Sequence, residues 1–229
     1  MTFFRHVYFP NPPKLVQTDI NGKRHYIDPT GSVLQKGVAL PSVTTVLNLL
    51  SQDGINSWRK RVGEKKADEI MHRASTNGTD MHTIIEYYLD NKATESVTNK
   101  TSRKLFEQLK PELNKINNIR AQEVQLYSTK LGVAGRVDCL AEYDGVLSVI
   151  DFKSTRARKK KEWITKYFLQ ATCYALMIEE LTKVKSNQIV IMLSGEDESV
   201  EVHVEKTEDY KDRLLGVLED YKLRVEFEV

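Results

Sequence analysis

Residues 135–153 read GRVDCLAEYDGVLSVIDFK, which is two apolar runs joined by Asp144-Gly145. An Asp-Gly pair between such runs is a strong signal for a β-hairpin with a two-residue turn. In that register the numbers of opposed residues sum to 289, so Asp138 lies directly across from Asp151. Opposed carboxylates have Cβ atoms about 5 Å apart and repel each other unless a cation offsets their charge. The sequence therefore predicts a hairpin that carries a cation site.

A divalent metal ion is the cation that suits this pair of carboxylates best. Carboxylate oxygens are the hard ligands that Mg²⁺ and Mn²⁺ prefer. Lys153 lies two residues beyond Asp151, and strand alternation places its ammonium group on the same face. The alternative is a surface hairpin in which Lys153 or Arg136 neutralises Asp138 without a metal. Apolar neighbours such as Ile150 favour the metal site, because charges within an apolar hairpin are costly unless they are paired or metal-bound.

The sequence that flanks the hairpin predicts the rest of a sheet. Val, Ile, Leu and Tyr are enriched in segments of strand length between turn residues, and a longer helical pattern interrupts them. Strands are predicted over residues 121–128, 131–143, 146–153, 187–193 and 199–204, and helices over 161–183 and from about 207 onward. A helix that crosses over and returns to the same sheet predicts an α/β fold, in which a central mixed β-sheet is flanked by helices.

The N-terminal half is predicted to be a small β element followed by helices. Residues 14–28 alternate around Asn21-Gly22, which is typical of a hairpin. Ser42 precedes a periodic apolar run and is a predicted N-cap. Further helices are predicted to begin near Thr79, after a break at residues 75–78, and to span residues 102–118. We expect one domain made of a hairpin extension (1–40), a helical region (41–118), a core that carries the site (119–205) and a C-terminal helix (206–229).

Composition excludes several classes of protein. No apolar run approaches the roughly 18 residues of a membrane span, and no secretory leader is evident, so we expect a cytoplasmic protein without a membrane partner. Two cysteines are too few for a disulfide scaffold or an iron–sulfur cluster. The net charge of +2 is uneven: residues 196–228 carry −7 and the remainder +9. A basic body fits a polyanion-binding surface, although a solvated acidic helix explains the asymmetry equally well.

Four motifs in order resemble one enzyme family. Gly135-Arg136-Val137-Asp138 followed by Asp151-Phe152-Lys153 resembles the core of the PD-(D/E)XK nucleases, which have a restriction-endonuclease-like fold. Gly78-x-x-x-His82 upstream and Gln170-x-x-x-Tyr174 downstream resemble the RecB-type branch. Residues 41–44 and 58–60 look like the corresponding stretches of the mitochondrial genome maintenance exonucleases and their phage relatives. Two departures are Val137 in place of a proline and the missing cysteine quartet, which argues against the iron–sulfur branch of these nucleases.

The resemblance implies roles for particular residues. By this likeness His82, Asp138, Asp151 and the carbonyl of Phe152 would bind Mg²⁺ or Mn²⁺, and Lys153 would position and polarise the attacking water. Further residues are predicted to hold the active site or DNA: Gln170, Tyr174, Ser42, Thr44, Trp58, Arg136, Arg158, Lys159 and Lys160. The last three belong to a basic run at residues 156–161, which as a bare charge run would be a solvated loop. Glu86 and Glu123 are further candidates for contact with a second metal.

The resemblance implies a metal-dependent exonuclease that hydrolyses DNA from single-stranded ends. The alternatives are a structure-specific endonuclease of the same fold and a non-catalytic DNA-binding subunit. No His-Glu-x-x-His motif of a zinc peptidase occurs, and no Gly-x-x-x-x-Gly-Lys loop, so we expect no nucleotide cofactor.

Overall fold

The computed structural model describes residues 3–10 and 12–227, and side chains as far as residue 225. A small antiparallel sheet near the N-terminus contains β1 (Val16–Ile20), β2 (Lys23–Ile27) and β3 (Ala39–Pro41). The larger sheet has five strands in the order β4-β5-β6-β7-β8. These are β4 (Ile116–Ser128), β5 (Val133–Tyr143), β6 (Val146–Thr155), β7 (Gln188–Gly195) and β8 (Val200–Lys206).

Helices surround the larger sheet. They are α1 (Val43–Leu47), α2 (Gln52–Val62), α3 (Glu64–Leu89), α4 (Lys100–Leu113), α5 (Thr165–Thr182) and α6 (Glu208–Phe227). Of the helices that the structure describes, none combines the length and the apolar character needed to cross a membrane.

The predicted central hairpin is confirmed. Strands β5 and β6 pair from Tyr143↔Val146 to Cys139↔Ile150, and the numbers of each pair sum to 289 as expected. Asp144 and Gly145 have φ angles of 47° and 79°, which a type I′ turn requires at both central positions. The regular pairs end at Cys139↔Ile150, so Asp138 and Asp151 occupy the next opposed positions, where the two strands begin to diverge.

The mixed sheet packs between two helical layers, which confirms the predicted α/β fold. Strands β4, β5 and β6 form an antiparallel meander, and α5 carries the chain across to β7, which pairs parallel with β6. One apolar core joins α1, α5 and α6 to one face of the sheet. A second core joins α3 and α4 to the opposite face. Alternate residues of β6, such as Val149 and Ile150, enter opposite cores, as strand geometry dictates.

Three element predictions need correction. The predicted break at residues 75–78 is wrong, because α3 runs unbroken through Gly78. A Cβ at Gly78 would lie 3.3 Å from the Ser154 Oγ of β6, so glycine permits close packing there and offsets its weak helix propensity. The helix predicted over 102–118 ends at Leu113, and β4 begins at Ile116. The predicted helical region starting at 41 overlaps β3, whose three residues pair with β2.

Local chemistry sets the beginning of α1 as predicted. The Ser42 hydroxyl accepts a hydrogen bond from the backbone N–H of Thr45 at 2.9 Å, which is an N-cap. Asn21 and Gly22 form the two-residue turn between β1 and β2, since Ile20 pairs with Lys23. The small sheet thereby lies beside the start of α1, next to the divergence of β5 and β6.

Candidate functional site

The site lies where the antiparallel meander loses its regular alternation. Val137 and Leu140 of β5 enter the same core although they are three residues apart, so the alternation slips between them. The slip falls at Asp138. In β4, Ala121 and Val124 also share that core, and Glu123 between them has a φ of 51°. A non-glycine residue with such a φ within a strand costs about 1–3 kcal/mol, and strain of this kind is concentrated at functional sites.

These two irregular residues face each other. Gln122 pairs with Cys139 and Val124 pairs with Val137, so Glu123 and Asp138 occupy opposed positions between them. Strands β5 and β6 diverge at the same level, and the side chain of Asp138 replaces a backbone partner. Its Oδ2 accepts the Phe152 backbone N–H at 2.9 Å, which satisfies a donor that the sheet leaves unpaired.

His82 reaches this point from α3. Its Nε2 lies 2.8 Å from the carbonyl oxygen of Phe152, and because a carbonyl only accepts, Nε2 carries a proton. The other nitrogen, Nδ1, lies 3.5 Å from Glu123 Oε1 and 3.6 Å from Asp138 Oδ2. Burial by itself lowers the pKa of His82, but the carboxylates of Asp138 and Glu123 outweigh it and raise the pKa to about 8.

His82, Glu123 and Asp138 form a group that could hold a metal ion. One ligand atom from each lies within 4.8 Å of the others. An imidazole nitrogen with two carboxylate oxygens suits a divalent cation such as Mn²⁺, and the carboxylates also suit Mg²⁺. A ligating histidine usually donates its second ring N–H to a carbonyl or carboxylate, as His82 does to Phe152. The donor set therefore fits a divalent cation.

Asp151 and Lys153 form a buried ion pair beside this group. Lys153 Nζ donates to Asp151 Oδ1 at 2.7 Å and lies 2.6 Å from Oδ2. Burial raises the pKa of Asp151 above its ordinary value, despite the lowering effect of Lys153. Burial alone lowers the pKa of Lys153, yet Asp151 and Asp138 outweigh it, so the pKa is raised above its ordinary value. Lys153 is accordingly a protonated cation at neutral pH.

A cavity of about 520 Å³ opens over the metal-binding group. Its walls include His82, Glu123 and Asp138, and Gln170 from α5. Strand β2 contributes Arg24 and Tyr26, so the small N-terminal sheet flanks the site. Glu86 also borders the cavity, and burial, together with the charge of Glu123, raises its pKa.

The predicted residues differ in how close they lie to the cavity. Thr44 is exposed on its wall, and Arg136, on the rim, pairs with Glu123 through Nε at 2.9 Å. Ser42 borders the cavity, but it is 2% exposed and its hydroxyl caps α1. Tyr174 is also 2% exposed, and its hydroxyl accepts from Gln170 Nε2 at 3.2 Å.

The remaining predicted contacts lie outside the cavity lining. Trp58 is half-buried on α2 and is not among the lining residues. In the basic run, the Arg158 guanidinium lies 3.9 Å from Glu201. Lys159 Nζ donates to the Tyr167 hydroxyl, and Lys160 lies over the exposed ring of Trp163. The run is therefore divided among several protein contacts.

Glu123 was predicted from the sequence only as a further candidate for metal contact, yet it belongs to the metal-binding group. The missing information was the register of β4 against β5. Ser128 pairs with Val133, so four residues, Thr129 to Gly132, form the turn, and Gly132 has a φ of 72°. A four-residue turn that ends in glycine was the available signal, and it would have placed Glu123 opposite Asp138.

Comparison with known proteins decides the family. The family model of the PD-(D/E)XK nuclease superfamily matches residues 52–224, which is most of the chain and includes the whole metal-binding group. The chain belongs to the PD-(D/E)XK nuclease superfamily. This confirms the predicted resemblance to that superfamily.

One relative resembles the chain in sequence, and one solved structure resembles it weakly in fold. The chain is 30% identical over 154 residues to mitochondrial genome maintenance exonuclease 1 of Homo sapiens. That alignment covers 62% of this chain and 44% of the human protein, so the chain matches less than half of its relative's length. A crystal structure of a protein named as an exonuclease from Eubacterium rectale aligns at 13% identity and a TM-score of 0.41, over 65% of this chain and 68% of that one.

Proposed function

We propose that this chain is a divalent-metal-dependent deoxyribonuclease that hydrolyses phosphodiester bonds from single-stranded ends, as an exonuclease. The observation that carries the proposal is the convergence of His82, Glu123 and Asp138 beside the Asp151–Lys153 pair. Membership of the nuclease superfamily supports hydrolysis of a phosphodiester. The name of the human relative supports the exonuclease mode.

The metal would be Mg²⁺ or Mn²⁺. His82 Nδ1 and the carboxylates of Glu123 and Asp138 would hold it, with Asp151 as a further oxygen donor. The Phe152 carbonyl accepts from His82 Nε2, on the opposite side of the ring from Nδ1, so it would orient the imidazole ring and would not ligate the ion. When bound, such an ion supplies neutralisation of phosphate charge and a more acidic water molecule. The hydrogen bond from His82 Nε2 to Phe152 fixes the imidazole ring, so that Nδ1 faces the two carboxylates without reorganisation.

Lys153 acts on the scissile phosphate as a cation. Its raised pKa keeps it protonated, so it cannot serve as a base, and a protonated ammonium has no lone pair for a metal. Asp151 holds Nζ in place at 2.7 Å. From there the ammonium group can orient the attacking water and stabilise the negative charge that develops on the phosphate.

The surroundings of the cavity suit a flexible strand. The small N-terminal sheet lies on one side through Arg24 and Tyr26, and α3 lies on the other through His82. A single strand can bend into a site that is flanked in this way, and Arg24 and Arg136 can contact its phosphates. Gln170 and Thr44 would contact the strand from the α5 and α1 side.

The decisive experiment compares two aspartate variants of the same hairpin. Asp138→Asn keeps an oxygen acceptor for the Phe152 N–H but removes a charged metal ligand. Asp144→Asn makes the same chemical change in the turn, where asparagine tolerates the positive φ. We expect Asp138→Asn to lose at least about 100-fold of the Mg²⁺-dependent cleavage rate, in line with loss of electrostatic stabilisation, and Asp144→Asn to keep it.

The substrates distinguish the alternatives. An exonuclease degrades an end-labelled linear single strand in the presence of Mg²⁺ and leaves a circular single strand intact. Cleavage of the circle would instead establish an endonuclease of the same fold, and binding without cleavage a non-catalytic DNA-binding subunit. Undiminished cleavage by Asp138→Asn would remove the proposed metal group from the mechanism.

A further inference from the structure

Three lysine ammonium groups surround one aromatic ring behind the proposed active site. The Tyr167 ring centroid lies 5.3 Å from Lys153 Nζ, 5.4 Å from Lys159 Nζ and 5.7 Å from Lys166 Nζ. Lys159 also donates to the Tyr167 hydroxyl at 3.2 Å. These residues come from β6, from the segment that follows it and from the first turn of α5. The fold therefore gathers cations that are separate in sequence.

Most of this positive charge is not neutralised by the protein. Lys153 pairs with Asp151, but in the part of the chain that the structure describes no carboxylate lies within ion-pair distance of the Nζ of Lys159 or Lys166. Glu201 accepts from the backbone N–H of Lys159 at 3.0 Å. Their neighbour Lys161 differs, because its Nζ lies 2.5 Å from Glu205. Cations gathered in this way repel one another, so an anion bound nearby relieves part of this repulsion.

A cavity of about 210 Å³ lies at this cluster. Its polar lining consists of Thr44, Asn48, Lys153, Lys166, Tyr167 and Gln170, whereas Lys159 contacts Tyr167 from outside this lining. Since one water occupies about 30 Å³ in the liquid, a phosphate group fits in this space. Thr44 and Gln170 also line the larger cavity over the metal-binding group, so the two cavities adjoin.

The start of α5 adds to the positive potential. A helix N-terminus carries a partial positive charge, which acidic residues or a capping side chain commonly offset. The first turn of α5 contains no acidic residue, and its N-cap, Ile164, offers no side-chain hydrogen bond, although the 3-10 turn Lys161–Ile164 that leads into α5 contains Glu162. Lys166 and Tyr167 belong to this first turn.

We propose that Lys166 and Tyr167, with Asn48 and Thr44, form a second phosphate subsite next to the scissile phosphate, and that Lys159 adds positive charge to it from its place against Tyr167. The subsite rests on the proposed nuclease function, because its place in the reaction is defined by Lys153. Lys153 contacts the scissile phosphate from one side and borders the subsite on the other, so it links the two phosphate positions. The occupant is a phosphate of the same strand, either the neighbouring diester or a terminal monoester. Binding it fixes the register of the strand over the metal group.

The test compares Lys159→Gln and Lys166→Gln with Lys161→Gln, a matched change in a lysine that is already paired with Glu205. Binding of a labelled single strand is measured without metal over a range of salt concentrations. Lys166→Gln should flatten the slope of log affinity against log salt by roughly 0.7, the value expected when the protein neutralises one phosphate fewer on a single strand, and Lys159→Gln should flatten it less. Lys161→Gln should change the slope little. Equal slopes in all three variants would overturn the subsite, whether or not the protein cleaves DNA.

Cleavage kinetics then identify the phosphate. In the presence of Mg²⁺, the subsite variants should raise KM or lower kcat/KM by roughly 10-fold, as expected for removal of one charge-assisted hydrogen bond. A strand with an uncharged methylphosphonate next to the scissile bond tests the diester, and a strand without its terminal phosphate tests the monoester. The DNA modification that lowers kcat/KM of the wild type should not lower kcat/KM of Lys166→Gln any further. If neither modification changes the cleavage rate of an active wild-type enzyme, the subsite is refuted and the proposed function stands. An inactive wild-type enzyme contradicts the proposed function, and the salt dependence of DNA binding then decides whether the subsite exists.

Discussion

Replacing Gly135 with alanine should disturb both the fold and the site through one buried ring. Gly135 lies in β5 opposite Leu126, and a Cβ at this position would be 2.7 Å from Tyr174 Cε1 and 2.9 Å from its hydroxyl oxygen. Real Cβ atoms do not approach other atoms this closely, so the ring or the strand must move. Tyr174 is 2% exposed and its hydroxyl accepts from Gln170, so it has little room to yield.

The magnitude follows from two opposing effects. Overpacking of a well-packed core costs about 1–3 kcal/mol. Alanine restricts the unfolded chain more than glycine does, which returns about 0.4–1 kcal/mol. We therefore expect Gly135→Ala to lower the free energy of unfolding by about 1–2 kcal/mol, and the melting temperature by about 2–8 °C for a domain of this size. Displacement of Tyr174 should also move Gln170 and lower the cleavage rate.

Urea denaturation with a double-mutant cycle isolates the contact. Tyr174→Leu removes the ring atoms that a Cβ would meet, so the double variant should be more stable than the sum of the single effects by about 1 kcal/mol. Gly54→Ala is the matched control, since nothing lies within 4 Å of a Cβ there. In the first turn of α2 it should leave the free energy of unfolding unchanged or raise it by up to about 1 kcal/mol. Wild-type stability of Gly135→Ala, or additive effects in the cycle, would refute the steric argument.

Two further predictions concern the charged groups of the site. Lys153→Ala should slow single-turnover cleavage by roughly 10²- to 10⁴-fold while Mn²⁺ affinity, measured by calorimetry, falls little or rises; loss of both together would mean that Lys153 organises the site instead. In the metal-free protein, a pKa of His82 raised from 6.5 to about 8 stabilises the fold below pH 6.5, and this contribution is lost as the pH rises through 8. His82→Gln should therefore cost about 2 kcal/mol more at pH 6 than at pH 9, as measured by urea denaturation in a chelator; a difference that is independent of pH would contradict the carboxylate environment of His82.

Local chemistry made much of the fold predictable from sequence. The Asp144-Gly145 turn sets the register of β5 and β6, because a two-residue turn with positive φ at both positions permits only one pairing. Ser42 was recognisable as an N-cap for a similar reason, since the cap depends on residues within one helical turn. The order of the nuclease motifs then indicated the superfamily, which the family comparison confirms.

Long-range packing decided what the sequence pattern left open. Glycine and polar residues at 75–78 are typical of a helix break, but contact of Gly78 with Ser154 of β6 favours a continuous α3. That continuous helix brings His82 to the carbonyl of Phe152, 70 positions further along the chain. No local periodicity encodes such a contact, because it depends on how two finished elements pack.

Some contacts of the candidate site follow from the sequence, and others depend on the tertiary structure. The sequence by itself determined that Asp138 and Asp151 occupy opposed positions on one hairpin, since strand pairing after a tight turn is a local property. Only the tertiary structure placed Glu123 beside His82 and gathered Lys159 and Lys166 around Tyr167. These contacts join different strands and helices. Burial of the apolar cores on both faces of the sheet stabilises the packing of these elements. That packing sets the distances between the side chains, which the spacing of residues in the sequence does not determine.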